Sequence, residues 1–236
     1  MSQKNQTQEE AKKSENLSHN SKVASNPQNT IDLLFEGVIK FKEENFLAYK
    51  ELFENLKEGQ NPHTLFVGCA DSRVVPNLIT NTLPGELFVV RNIANIVPPY
   101  RATDEYLATT SAIEYALEEL KVENIIICGH SHCGGCAALY EESHFVNMPN
   151  VRNWLKLIEP VKTQVLSLNP KTTAMRSFLT EQINIERQIM NLFTYPKVKE
   201  KYLARTLNLY GWHYIIESGE VYNYDFKRHE FNLLKG

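Results

Sequence analysis

The chain has 236 residues, 42% of them hydrophobic, and a formal net charge of −3, enough to bury one sizeable core in a single domain. That charge offers no basic field to draw nucleic acid, and no run approaches the roughly 18 apolar residues of a membrane span. Four cysteines set among polar ligand types, with no secretory apolar leader, point to a reducing compartment and a cytoplasmic protein rather than a disulfide scaffold.

Residues 1–30 hold 14 Asn, Gln or Ser and no aromatic residue. Such a segment cannot bury enough apolar surface to offset its ordering entropy, so it reads as a disordered tail ahead of one catalytic domain over 31–236. From 31 to 56, Leu34, Val38, Phe41, Phe46, Tyr49 and Phe53 recur at helical intervals among Lys and Glu, which predicts a helical arm, in one piece or two. Gly59-Gln60-Asn61-Pro62 ends it.

A first strand is predicted over 64–69, then a short helix over 76–81 opened by Pro76. A second strand covers 87–91, and a proline-bearing loop runs from Asn92 to Arg101. Asp104 is placed to cap a helix reaching Leu120, with Leu107, Thr110, Ile113, Ala116 and Leu117 inward. The β-branched run at 124–128 predicts a buried central strand. Helices follow at 150–166 and 172–195, with another before Asn208; strands over 212–217 and 220–226 close the chain, joined through Ser218-Gly219. Strand, helix and strand in succession imply parallel pairing. The fold class is therefore α/β: a central, mostly parallel sheet flanked by helices, with an N-terminal helical arm and a C-terminal strand pair.

Chemistry concentrates at two strand ends. The first strand stops on Cys69-x-Asp71-x-Arg73 and the central one on His130-x-x-Cys133. Parallel neighbours would bring Cys69, His130 and Cys133 to one sheet edge. Two thiolates and an imidazole suit zinc, and three protein ligands leave the fourth tetrahedral position open, the pattern of a catalytic site. A carboxylate at Asp71 can accept a hydrogen bond from metal-bound water or bind the metal itself, and the Arg73 fork can hold it by two parallel bonds. Other readings compete. Asp71 and Arg73 could be a surface ion pair of little weight. Cys133-x-x-Cys136 has redox spacing, but that use leaves His130, Cys69, Asp71 and Arg73 without a role. Cys128 reads as a small core residue and Cys136 as structural. His63, His132 and His213 fit the metal by type alone and are left out; His213 reads as surface or interface.

Together, Cys69-Ala-Asp71-Ser-Arg73, the block from Pro84 through Phe88, Arg91, Asn92 and Ile93, and Gly129-His130-Ser-His-Cys133-Gly134-Gly135 resemble the β-class carbonic anhydrases over about residues 31–230. The resemblance implies a zinc enzyme that hydrates carbon dioxide to bicarbonate and a proton through zinc-bound hydroxide. Its metal ligands would be Cys69, His130 and Cys133 with water or Asp71 fourth, and Asp71 and Arg73 would orient the nucleophile. It further implies substrate contacts from Gln60, Phe88, Ile93, Tyr115 and the backbone of Gly134, and a homodimer or homotetramer with its sites at the interface. One departure stands out: members with a regulatory bicarbonate pocket carry Trp where this chain has Phe66, while Arg91 and Tyr214 match. That form of regulation is therefore not expected. A closed zinc module would need a fourth Cys or His, whereas a lyase acting on carbon disulfide or carbonyl sulfide would share these motifs.

Overall fold

The computed structural model describes residues 27–105 and 107–235; most of the expected tail lies outside them. The chain falls into two compact units that meet between Gly59 and Gln60. The first is the arm. Helix α1, Pro27–Lys40, leads through a wider π-turn, Phe41–Asn45, towards α2, Lys50–Leu56. Phe46 stacks on Phe53 with ring centroids 5.4 Å apart. Helix α1 begins four residues inside the stretch assigned to the tail, because the fixed φ of Pro27 suits an opening turn and the polar residues after it tolerate a solvated one.

The second unit carries the sheet. In chain order it runs β1 Thr64–Cys69, α3 Pro76–Thr80, β2 Leu87–Asn92, α4 Ala108–Glu118, β3 Asn124–His130 and α5 Gly134–Ala137. There follow α6 Pro149–Leu155, α7 Glu159–Ser167, α8 Thr173–Leu192, α9 Pro196–Leu203, and strands β4 Asn208–Tyr214, β5 Val221–Asp225 and β6 Glu230–Leu233. The spatial order is β2-β1-β3-β4-β5-β6. The first four strands pair in parallel and the last two are antiparallel.

The central strands read as unbroken apolar runs because both of their faces are covered. Leu65, Val67, Ile125 and Ile127 pack with Ile113 and Leu117 of α4 and Ile185 and Ile189 of α8. Phe66, Ile126 and Cys128 face the other way, against Trp212 and Tyr214. Each fully buried Ile or Leu contributes about 1.5–3 kcal/mol relative to exposure. Helix α8 lies so close to the sheet that a Cβ at Gly211 would stand 2.7 Å from Ile189 Cδ1 and 2.8 Å from Ile185 Cγ2.

Three details differ from the sequence reading. Asp104 lies four residues ahead of the first turn of α4, out of reach of its amides; Leu107 occupies the cap with no side-chain bond. The strand beside β3 starts at Asn208 and ends at Tyr214, displaced from the expected 212–217. Strand β6 adds a third closing strand after a turn in which His229, not a glycine, takes φ 57°.

Substituting Gly211→Ala overpacks the α8 seat and lowers stability by about 1–3 kcal/mol. Gly37→Ala, where a Cβ meets nothing within 4 Å, does not lower it; thermal melting of both variants checks this.

Candidate metal centre

The parallel register builds the site. Gly68 pairs with Cys128 across β1 and β3, so Cys69 and His130 leave the sheet at one edge, within a residue of the same level. The chain then turns through Ser131 and His132 into Cys133, the residue capping α5. His132 takes φ 56°, the left-handed region that bulky residues adopt rarely. The turn is held from outside: Ser131 N–H donates to Tyr214 O at 2.9 Å, and Arg73 Nη2 donates to His132 O at 3.2 Å.

Cys69 Sγ, a ring nitrogen of His130 and Cys133 Sγ all lie within 4.8 Å of one another, and all three residues are buried. The sulfurs stand 4.0 Å apart; two thiolates on one tetrahedral zinc, each at ~2.3 Å, would be about 3.8 Å apart. His130 Nδ1 lies 2.9 Å from Ser131 O and serves as its donor, which leaves Nε2 with a bare lone pair. That Nε2 is buried and has no hydrogen-bond partner among the described residues. Asp71 Oδ2 is 3.9 Å from it, beyond hydrogen-bond reach. An orphaned imidazole nitrogen facing two sulfurs fits a metal ion and little else. The hydrogen bond that the Cys69 thiol makes to Cys133, then burial, pushes Cys69 up to about 12, and Cys133 is raised in the same sense, chiefly by Cys136.

Asp71 and Arg73 form a full fork. Arg73 Nε and Nη2 donate to the two carboxylate oxygens at 2.9 and 2.7 Å, and the Arg73 N–H adds a bond of 3.0 Å. The side-chain bonds from Arg73 hold the Asp71 carboxyl well below the usual range, so it stays an acceptor. Behind it, Arg91 donates to Cys69 O at 3.0 Å and Asp71 O at 2.6 Å. Both guanidinium groups thereby fix the loop after β1. The Arg91 clamp was not foreseen: from the sequence Arg91 stood only in the motif block and as a match to the regulatory bicarbonate pocket.

The remaining candidates divide. A cleft of about 600 Å³ beside the loop is lined by Ala70, Arg91, Asn92, Ile93, Thr109 and Trp154 among others, so Ile93 is near the site; Trp154 Nε1 fixes it by donating to Ile93 O at 2.9 Å. A Cβ at Gly134 would meet nothing within 4 Å, which leaves room at the α5 start. Phe88 and Tyr115 pair with each other, centroids 5.9 Å apart. Phe88 is level with Leu65, four residues and about 13 Å along the strand from the Cys69 end. Gln60 precedes β1 altogether. Phe88 and Tyr115 are thus not gathered around the candidate ligands of their own chain.

Residues 64–221 match the family model described as carbonic anhydrase. A carbonic anhydrase of Helicobacter pylori is 45% identical over 207 residues, 85% of this chain and 93% of the relative. One from Synechocystis sp. is 43% identical over 201 residues, 84% of this chain and 72% of the relative. Among solved structures, the β-carbonic anhydrase CcaA superposes with a TM-score of 0.83 at 41% identity, over 88% of this chain and 93% of that one. Tetrameric β-carbonic anhydrases from Sordaria macrospora give 0.75 at 30% identity, over 83% and 96%.

The chain belongs to the β-class carbonic anhydrases. Its reaction is the reversible hydration of carbon dioxide to bicarbonate and a proton, and its metal is zinc. The carbonic anhydrase motifs fall on the strand ends and turns described above, and the three residues that the geometry brings together are consistent with a zinc site. The Phe66 departure is structural as well: its ring is fully buried edge-on to Trp212, 6.3 Å away.

Cys69→Ser, His130→Ala and Cys133→Ser each lose the metal, while Cys128→Ala, altering a core thiol on the same strand, keeps about one zinc per chain. Metal analysis of purified, reduced protein reads both outcomes.

Proposed function

We propose that Asp71 and Arg73 are the residues that run this chemistry around zinc held by Cys69, His130 and Cys133. The observation that carries the reading is the Asp71 carboxylate, fixed at both oxygens yet 3.9 Å from the bare His130 Nε2. When bound, zinc supplies the positive charge that makes water a usable nucleophile near neutral pH. Asp71 accepts a hydrogen bond from the attacking water and directs its lone pair at the substrate carbon. Arg73 keeps that carboxylate ionised and oriented, and contributes a cation in a site whose two thiolates already neutralise the metal. Asp71 can alternatively serve as a fourth ligand itself. Ile93 offers an apolar wall to a linear, uncharged substrate, and the Gly134 N–H is directed at a substrate oxygen.

The protein works as a homodimer or a pair of dimers. Phe88 and Tyr115 lie away from the ligands of their own chain and Gln60 lies ahead of β1, which supports their reaching a partner's zinc. The exposed apolar residues of the arm, Leu34, Val38 and Phe41 among them, support association as well, and the Sordaria macrospora neighbours are tetramers. Four free cysteines favour a reducing, cytoplasmic setting.

Asp71→Asn and Arg73→Ala are expected to keep zinc but lose hydration by about 10²-fold or more, followed by stopped-flow pH change; full activity in either would refute the pair's role. The shared site has its own test. Mixing inactive Asp71→Asn with impaired Gln60→Ala, after dissociation and reassembly, should restore activity, because hybrid dimers regain one intact site. Activity that never exceeds the average of the parents would place Gln60 in its own chain's site.

A further inference from the structure

One face of α8 is buried and polar. Glu181, Asn184, Gln188 and Asn191, spaced by three and four residues, are all nearly inaccessible. Three of them hold the loop after β2. Asn184 Nδ2 donates to Ala94 O at 2.9 Å, Gln188 Oε1 accepts from Val97 N at 2.9 Å, and Asn191 Nδ2 donates to Val97 O at 2.8 Å. Ala94 and Asn95 both have left-handed φ, at 60° and 46°, so that loop needs such support.

The fourth member points elsewhere. Glu181 Oε1 accepts from the N–H of Cys133 at 3.3 Å, and Oε2 lies 3.1 Å from His213 Nε2. His213 stands on β4 level with Gly129, one residue short of the ligand His130. It is wholly buried, with Phe178 and Phe231 edge-on at 5.4 and 6.3 Å. Packing on two sides gives this imidazole one orientation, and its Nε2 gives the carboxylate one orientation in turn. The sequence reading of His213 as surface or interface is therefore corrected.

We propose that Glu181, steered by His213, is a positioning residue for the metal: by holding the Cys133 N–H it fixes the second thiolate and sets how tightly zinc is retained. The need for it is local. Cys133 follows the left-handed His132, and although its carbonyl accepts from Ala137 N at 3.0 Å, its own N–H lies outside the α5 hydrogen-bond ladder and is held by Glu181 instead. A buried carboxylate tied to a strand residue thus holds that N–H before the metal arrives. Side chains in this outer position typically change metal affinity about 10–100-fold. The inference rests on Cys133 being a zinc ligand.

The test uses the zinc-loaded protein and its cobalt-substituted form. Glu181→Gln should release zinc to excess chelator about 10-fold faster or more and shift the sulfur-to-cobalt absorption band. His213→Phe, which removes the steering imidazole, should act in the same direction. Gly211→Ala weakens the seat of the same helix and serves as the control: it should leave both release rate and band unchanged. Should Glu181→Gln fail to fold, Glu181→Asp, which withdraws the acid by one methylene, is expected to speed release in the same way. Release within about twofold of wild type in the folded Glu181 variants, or an equal change in Gly211→Ala, would overturn the proposal. A wild-type protein that binds no metal would instead overturn the zinc reading beneath it.

Discussion

Everything at the centre depends on the register between β1 and β3. Parallel pairing of Gly68 with Cys128 sets Cys69 and His130 at one edge, and a single-residue slip would turn one of them to the other face of the sheet. That register is enforced by the apolar sets on both faces, Leu65, Val67, Ile125 and Ile127 against the helices and Phe66 and Ile126 against Trp212. The burial that stabilises the fold is thus the same burial that aims the ligands. Metal chemistry here is an outcome of strand pairing, with loops supplying only the last few ångströms.

Those last ångströms are held by polar groups that a close-packed core would otherwise exclude. Arg73 and Arg91 hold the loop after β1, Tyr214 O holds Ser131, and Glu181 holds Cys133. Buried polar residues are costly unless satisfied, and α8 satisfies its own by giving each a backbone group of a neighbouring loop. The result is a stiff frame around three ligands and a carboxylate, matched to a reaction whose substrate offers little to grip. Carbon dioxide carries no charge, so positioning must come from the protein's side.

Much of this was legible in the sequence, for identifiable reasons. Packing alone does not call for thiols beside charged or glycine residues at strand ends, so Cys69 and Cys133 announce chemistry, and an Asp-x-Arg pair one loop away reads as their support. The strands themselves were clear because β-branched runs such as 124–128 resemble little else. The frame was not legible. Glu181, Asn184, Gln188 and Asn191 look like the solvated side of an amphipathic helix until the fold shows which side is buried. His213 sits in a half-polar strand that could face either way. Strand β6 follows Lys227-Arg228-His229, a turn with no glycine or proline to mark it, and Asp104 was credited with a cap that begins too far downstream.

The most direct measurement is X-ray absorption at the zinc edge of the purified, reduced protein. Two sulfurs at about 2.3 Å, one imidazole nitrogen and one further oxygen at about 2.0–2.2 Å are the expected ligands. A shell of four sulfur or imidazole ligands with no oxygen, or an absent metal, would contradict a three-residue site with an open fourth position.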